Sequence, residues 1–207
     1  NTCCFIHDAK EESVNTILEM AEYKKTGTCK ILIVTGCMAQ RYKEEITEEI
    51  PEVDAVLGTT SYGDIVKALN EAEAGHVFRE FKDINALPED SGRRVITTGG
   101  HFGYLKIAEG CDKHCTYCII PSLRGKFRSV PEERLLKQAE YMASQGVREL
   151  ILVAQETTVY GTDLYGKKTL HILLKKLCQI KGIRWIRVLY CYPEEITDEL
   201  IEAIKTE

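Results

Sequence analysis

The sequence lacks any long apolar run. No run approaches the ~20 residues that a helix needs to cross a bilayer, and no signal peptide precedes the first helical pattern. We therefore expect a cytoplasmic protein without a membrane partner.

An excess of positive charge is also absent. The net charge at pH 7 is −5, so composition as a whole gives no reason to expect nucleic-acid binding.

The chain opens at Asn1 without a methionine and stops at Glu207 inside a helical pattern. We therefore expect a piece of a longer protein. Its 207 residues, 44% of them hydrophobic, suffice for one or two globular domains.

Cysteine, by contrast, is abundant, with nine residues in the chain. Their uneven spacing, without a secretory signal, predicts metal or redox chemistry in a reducing compartment rather than disulfides. Cys111, Cys115 and Cys118 form the pattern Cys-x3-Cys-x2-Cys. Three thiolates can hold three corners of a four-iron four-sulfur cluster. Because no fourth cysteine follows, the remaining iron would be open for chemistry.

Three other interpretations of this triplet stay open. A zinc site needs four ligands, and the candidate fourth, His114, is adjacent to Cys115, so the two side chains would seldom point at one metal. Cys115 and Cys118 alone would form a redox pair and leave Cys111 unexplained. Buried, chemically idle thiols are the simplest alternative. The cluster accounts for all three cysteines and is the interpretation that we favour.

Residues 1–78 alternate helix and strand signals. Asp8 and Glu11 have the spacing of a capping box, which predicts a helix beginning there. The apolar run at residues 31–34 predicts a buried parallel strand. A helix over residues 40–49, a strand over 53–57 and a helix capped by Ser61 follow. This alternation predicts an open parallel sheet with helices on both faces, cut short in this chain.

Two further cysteines fall at equivalent strand ends of this predicted sheet. Cys37 lies just past one strand, and Cys3 lies where another should have stopped. Ligands of such sheets gather beyond the carboxyl ends of the strands, so the two thiols could share a second cluster. Two buried structural thiols are the equally weighted alternative. Two thiolates are too few for a cube, so a third ligand would have to come from outside this chain.

Residues 79–103 are charged and interrupted by proline and glycine, which predicts a linker. Strand and helix signals resume over 104–207 and give three strand–helix units. Ser129 and Glu132 suggest a capping box at the start of one helix, and Leu170, Leu173, Leu174 and Leu177 form an apolar stripe on the next. A reactive loop after the first of three such units is typical of the opening half of a β/α barrel.

These motifs resemble the radical S-adenosylmethionine (SAM) enzymes and, more narrowly, the methylthiotransferases. The cysteine triplet is similar to the superfamily signature, with Tyr117 as the aromatic residue before its last cysteine. The narrower match covers nearly the whole chain. It is carried by the segments Asn1-Thr2-Cys3, Thr35-Gly36-Cys37, Tyr104-Leu105-Lys106-Ile107-Ala108-Glu109-Gly110-Cys111, Cys118-Ile119-Ile120-Pro121 and Val153-Ala154-Gln155-Glu156-Thr157-Thr158-Val159-Tyr160-Gly161.

The resemblance implies SAM and, in the full-length protein, two four-iron four-sulfur clusters. Cys111, Cys115 and Cys118 would hold the radical-SAM cluster, while Cys3 and Cys37 would hold an auxiliary cluster that presents sulfur. Motif alignment assigns the auxiliary ligand to Cys3 and not to its neighbour Cys4. Insertion of sulfur at an unactivated carbon belongs to the cofactors, so no side chain is assigned a catalytic role.

Within the family, one branch modifies an aspartate of small-ribosomal-subunit protein twelve and another modifies an adenosine of transfer RNA. Glu156-Thr157-Thr158 and Cys191-Tyr192-Pro193 resemble the ribosomal-protein branch. The transfer-RNA branch tends to carry Ser-His-Pro in place of Cys191-Tyr192-Pro193. We therefore expect the ribosomal protein as substrate and an electron donor such as a flavodoxin as partner. The alternatives are the transfer-RNA enzyme and a non-catalytic iron–sulfur or zinc module.

Smaller assignments follow from position. Tyr117 would lie beside the adenine of SAM, or would merely pack the loop. Gln155 and Glu156 follow a barrel strand and would hydrogen-bond SAM, or cap the following loop. Arg124 belongs to a basic cluster with Lys113, Lys126 and Arg128 that would attract a partner, although a solvated loop is the commoner outcome.

Overall fold

The computed structural model describes residues 1–88 and 94–207. The chain divides into two compact units, Asn1–Ser91 with Lys113–Gly125, and Gly92–Asp112 with Lys126–Glu207. A short segment after the first cysteine of the triplet thus belongs to the N-terminal unit. No helix of the described residues is both long enough and apolar enough to cross a membrane.

The first unit is built on a three-stranded parallel sheet. Its elements are α1 (His7–Thr26), β1 (Ile33–Thr35), α2 (Cys37–Arg41), α3 (Lys43–Glu49), β2 (Ala55–Leu57), α4 (Ile65–Glu73), β3 (Phe78–Glu80) and α5 (Ile120–Arg124). The strands lie in the order β1–β2–β3, with Val34 opposite Val56. All three residues of β2 are fully buried, as expected for a strand covered on both faces.

The core of the first unit includes side chains from distant parts of the sequence. Ile17 of α1, Val34 of β1 and Met38 of α2 pack in one cluster with Leu123 of α5. Removing apolar surface of this kind from water is the main force that holds such elements together. The segment that follows the cysteine triplet is therefore part of this core.

The second unit has a second three-stranded parallel sheet. Its elements are β4 (Phe102–Lys106), β5 (Ala108–Glu109), β6 (Arg128–Ser129), α6 (Glu132–Ser144), β7 (Glu149–Val153), α7 (Thr162–Tyr165), α8 (Leu170–Cys178), β8 (Trp185–Val188) and α9 (Asp198–Thr206). The strand order is β4–β7–β8, and β5 pairs antiparallel with β6. The three predicted strand–helix units are confirmed as β4–α6, β7–α8 and β8–α9.

Helix α8 shows why the apolar period succeeds as a signal. All four leucines of its predicted stripe are buried, because side chains three and four residues apart lie on one helix face. Helix α9 has a side-chain cap, since the Thr197 hydroxyl accepts a hydrogen bond from Leu200 N at 3.3 Å. The parallel α/β class expected from the sequence is confirmed.

The two capping boxes were wrong. Asp8 lies inside α1, which begins at His7, so its side chain cannot cap the first turn. Ser129 lies in β6, and its hydroxyl accepts a hydrogen bond from Gly161 N at 2.9 Å. Ser61 does not cap α4 either, because its hydroxyl accepts from Lys82 N at 3.1 Å. Ser61 and Ser129 thus make tertiary contacts that the local sequence pattern does not encode.

Two boundaries also differ from expectation. The helix expected over residues 40–49 is divided at Tyr42 into α2 and α3. Strand β3 includes Arg79 and Glu80 and pairs with β2, although a linker was expected from residue 79. The predicted linker also includes residues 89–93, which lie outside the described residues.

Candidate metal centres

Backbone pairing brings the N-terminal cysteine segment to the end of β1. Thr2 N donates to Thr35 O at 2.7 Å, and Cys37 N donates to Thr2 O at 3.0 Å. Thr2 therefore forms a parallel bridge with Gly36. Cys3 and Cys37, each one residue beyond a bridged residue, thus follow neighbouring segments at the same sheet edge, as the sequence predicted.

Gly36 makes this close approach possible. Its φ is +104°, a region that side chains with a Cβ rarely adopt, and a Cβ there would collide with the carbonyl oxygen of Thr2. Any larger residue would push the Thr2 segment away from β1. The glycine in Thr35-Gly36-Cys37 is thus required by the backbone that places the two cysteines.

The adjacent residues Cys3 and Cys4 have different surroundings. Cys3 is exposed, and its backbone is fixed by Ser13, whose hydroxyl accepts from Cys3 N at 3.0 Å and donates to Cys3 O at 2.9 Å. Cys4 is only 3% exposed and packs in the core. Burial raises the pKa of the Cys4 thiol, with a further rise from Cys37 and an opposing effect of Arg41. Cys4 therefore behaves as a neutral core thiol.

The second ligand candidate, Cys37, has an arginine against its sulfur. Arg124 Nε donates to Cys37 Sγ at 3.2 Å. The arginine is the last residue of α5. The residue before it, Leu123, is buried in the core, and its carbonyl oxygen accepts a hydrogen bond from the Thr59 hydroxyl at 3.1 Å. The sequence placed Arg124 in a basic cluster and gave no signal of this contact, which depends on how α5 packs.

The cysteine triplet lies on a segment without helix or strand, residues 110–119. Cys111 belongs to the second unit, whereas Cys115 and Cys118 belong to the first and are joined by a turn in which Cys118 N donates to Cys115 O at 3.0 Å. None of the three forms a disulfide, and all three are of intermediate exposure. Tyr117, in the same turn, is 85% exposed.

Whether these side chains suit a metal depends on how they are grouped and on their donor atoms. Among the side chains of residues 1–88 and 94–207, no three of His, Cys, Asp or Glu come close enough together to hold a metal ion. The chemistry of the donors nevertheless fits an iron–sulfur cluster, because cysteine thiolates are its usual ligands.

Gln155 and Glu156 follow β7 and have opposite exposures. Gln155 is exposed, whereas Glu156 is only 2% exposed. Glu156 Oε1 accepts hydrogen bonds from Thr158 N at 3.0 Å, from the Thr158 hydroxyl and from Tyr192 N at 3.4 Å. Oε2 is buried and has no hydrogen-bond partner among the described residues. Glu156 thus caps its own loop and retains one acceptor atom.

Thr157, to which the sequence gave no separate role, joins the same loop to the segment after β8. Its hydroxyl lies 2.8 Å from Leu189 O and 3.1 Å from Tyr190 O, and Thr157 N donates to Tyr190 O at 3.1 Å. Tyr190 adopts φ 60°, a left-handed conformation that costs energy for a residue with a Cβ. These bonds hold the carboxyl ends of two neighbouring strands of the second unit together.

The remaining cysteines show no metal-like grouping. Cys29 Sγ donates to Ile31 O at 3.5 Å, and burial raises the pKa of Cys178, with a smaller contribution from Glu207. Cys191 is exposed, with its sulfur 3.5 Å from the Thr157 hydroxyl. Within the described residues, none of the three lies in a group of ligands.

The chain is similar in sequence to known protein families and to individual proteins. Residues 1–58 match the uncharacterized protein family UPF0004, and residues 105–207 match the radical SAM superfamily. The chain is 66% identical over its full 207 residues to the ribosomal protein uS12 methylthiotransferase RimO of Lachnoclostridium phytofermentans. The chain belongs to the radical SAM methylthiotransferase family. SAM and an iron–sulfur cluster follow from the family.

Two further relatives carry the same protein name. RimO of Clostridioides difficile is 54% identical over 205 residues, and RimO of Clostridium botulinum strain Hall is 51% identical over 208 residues, each covering 99% of this chain. The chain spans about half the length of these relatives, 46% in both cases and 47% for the L. phytofermentans protein.

A solved structure supports the fold of the chain. The radical SAM methyltransferase TsrM from Kitasatospora setae, determined with tryptophan and a SAM analogue, matches 94% of this chain and 50% of its own with a TM-score of 0.51. The sequence identity is 13%, so the likeness concerns the fold alone.

Proposed function

We propose that the full-length protein containing this chain is a methylthiotransferase that modifies an aspartate of ribosomal protein uS12. The observation that carries the proposal is the 66% identity, over the whole chain, to a protein named for that activity. Both family matches lie in this one chain, the first over residues 1–58 and the second over residues 105–207. The Glu156-Thr157-Thr158 and Cys191-Tyr192-Pro193 segments, which resemble this branch, are hydrogen-bonded to one another.

The proposal includes the metal ligands. Cys111, Cys115 and Cys118 would hold the radical-SAM cluster, since none of them is in a disulfide, all are partly exposed and they lie within eight residues of chain. When bound, the cluster and SAM supply the radical chemistry that no side chain provides. Tyr117, which is largely exposed, would be available to contact bound SAM.

An auxiliary cluster would be held in part by Cys3 and Cys37. Their shared position at the end of β1, the exposure of Cys3 and the burial of Cys4 support this choice. The full-length protein would then hold two clusters. The auxiliary cluster would need at least one further ligand from outside this chain. Gln155 and Glu156 remain candidates for SAM binding, Gln155 by its exposure and Glu156 by its partnerless Oε2.

The wider setting follows from this function. We propose that residues 1–78 form the N-terminal methylthiotransferase domain, 79–103 a linker and 104–207 the first half of the radical SAM barrel, which the two family matches support. The reaction would take place in the cytoplasm, where ribosomes assemble, and would draw its electron from a donor of the flavodoxin type.

Mass spectrometry of a deletion strain tests the function. We expect uS12 to lose its methylthio group, the full-length gene to restore it, and a gene carrying Cys115→Ala to leave it absent. Transfer RNA nucleosides should be unchanged. An unmodified nucleoside with intact uS12 would favour the transfer-RNA enzyme instead. Full-length protein that is prepared anaerobically and contains zinc but no iron would point to a non-catalytic module.

A further inference from the structure

Arg124 is held in place by the core of the first unit. The preceding residue, Leu123, is 4% exposed and packs with Val34, Met38 and Cys4. The buried hydrogen bond from the Thr59 hydroxyl to Leu123 O fixes the backbone at the same point. The arginine therefore leaves α5 from a rigid position, which limits the places that its side chain can reach.

The side chain is partly buried and directed at a sulfur atom. Arg124 Nε lies 3.2 Å from Cys37 Sγ, within hydrogen-bonding distance for sulfur. Arginine remains charged at any ordinary pH and only donates hydrogen bonds. A cysteine that binds iron does so as a thiolate, which carries negative charge. The guanidinium thus lies where it would offset the charge of a ligating Cys37.

Hydrogen bonds to ligating sulfurs and nearby charges are among the features that set the reduction potential of an iron–sulfur cluster. A positive donor favours the more negative, reduced state and therefore raises the potential.

We propose that Arg124 is a positioning residue for Cys37, which orients the Cys37 sulfur toward the auxiliary cluster and raises the reduction potential of that cluster. The proposal rests on the auxiliary-cluster part of the proposed function and adds a residue that no cysteine motif contains. Arg124 lies shortly after Cys115 and Cys118 in the sequence. One short segment therefore carries two ligands of one cluster and the polar partner of a ligand of the other.

The test uses the full-length protein with Cys111, Cys115 and Cys118 replaced by alanine, so that only the auxiliary cluster forms. Arg124→Gln removes the charge and the Nε donor. Arg124→Lys keeps the charge and removes the planar donor. Arg79→Gln, at an exposed position of β3 in the same unit, controls for the loss of one positive charge. Each protein is reconstituted anaerobically with iron and sulfide and titrated electrochemically while its paramagnetic spectrum is recorded.

We expect the midpoint potential of Arg124→Gln to be more negative than that of the parent and of Arg79→Gln. In competition with a chelator, the apparent affinity of the site for iron should fall about tenfold, since one hydrogen bond to a charged group is worth about a power of ten in an equilibrium. The midpoint potential of Arg124→Lys should lie between those of the parent and of Arg124→Gln. If Arg124→Gln does not fold, Arg124→Lys is compared with the parent in its place.

Two negative outcomes are distinct. If the parent binds a cluster and Arg124→Gln matches Arg79→Gln in potential and iron affinity, the role of Arg124 is refuted while the proposed function stands. If the parent with intact Cys3 and Cys37 binds no cluster at all, the auxiliary site itself is refuted, and the role of Arg124 with it.

Discussion

Replacing Glu156 with alanine should loosen the loops at the carboxyl ends of β7 and β8. The carboxyl group accepts from two backbone amides, Thr158 N at 3.0 Å and Tyr192 N at 3.4 Å, and from the Thr158 hydroxyl. Alanine leaves all three donors without this acceptor at a position that is 2% exposed. The side chain is too deeply buried for bulk water to replace it without local opening.

The expected cost can be worked out bond by bond. An unsatisfied buried donor costs about 1–3 kcal/mol. The long bond to Tyr192 contributes little, and the Thr158 hydroxyl can rotate to another acceptor, so we expect a total of about 2–4 kcal/mol. Glu156→Gln keeps the size and one acceptor oxygen. It should therefore cost clearly less than Glu156→Ala.

Amide hydrogen exchange measures this effect locally. The amides of Thr158 and Tyr192 should exchange at least about thirtyfold faster in Glu156→Ala, because about 2 kcal/mol of local stability corresponds to that factor. Gln155→Ala, which changes the exposed neighbour, is the matched control. Equal exchange rates in Glu156→Ala and Gln155→Ala would show that the carboxyl group does not hold these loops.

Three further predictions concern the core and the cysteines. Leu123→Ala should destabilise the first unit by about 2–5 kcal/mol in urea unfolding, as for other buried leucines, and an unchanged midpoint would contradict the packing of α5. Burial raises the pKa of Tyr160, so its contribution to stability is complete below the ordinary tyrosine value of about 10 and declines above it. Tyr160→Phe should abolish that decline, in urea unfolding at several alkaline pH values. In the full-length protein, Cys3→Ala should lose auxiliary-cluster iron while Cys4→Ala keeps it; the reverse iron contents would exchange their roles.

The elements that sequence predicted best are those whose signals repeat. The leucines of α8 recur at helical spacing, all three residues of β2 are apolar, and so are the last four of the five residues of β7. Such patterns are read correctly because the same physical preference acts at each residue and adds up. Helix starts were less predictable, because one hydroxyl or carboxyl decides them and Ser61 and Ser129 are used elsewhere.

The candidate site divides in the same way. Cys3 and Cys37 could be expected at one sheet edge because parallel strands end together. The contact of Arg124 with Cys37 could not be expected from the sequence, since it joins residues 87 positions apart. Nor did the sequence indicate that Thr157 joins the two strand ends, because its hydrogen bonds depend on the register of β7 against β8.

The sequence by itself determined the family, the cysteine spacing and the alternation of strands and helices, because each is encoded in neighbouring residues. Tertiary structure alone decided that Cys4 is buried while Cys3 is exposed, that α5 packs into the first unit, and that Arg124 reaches a sulfur. Those outcomes depend on which surfaces of distant segments fit together. That fit is a property of the packed chain and of no single stretch of it.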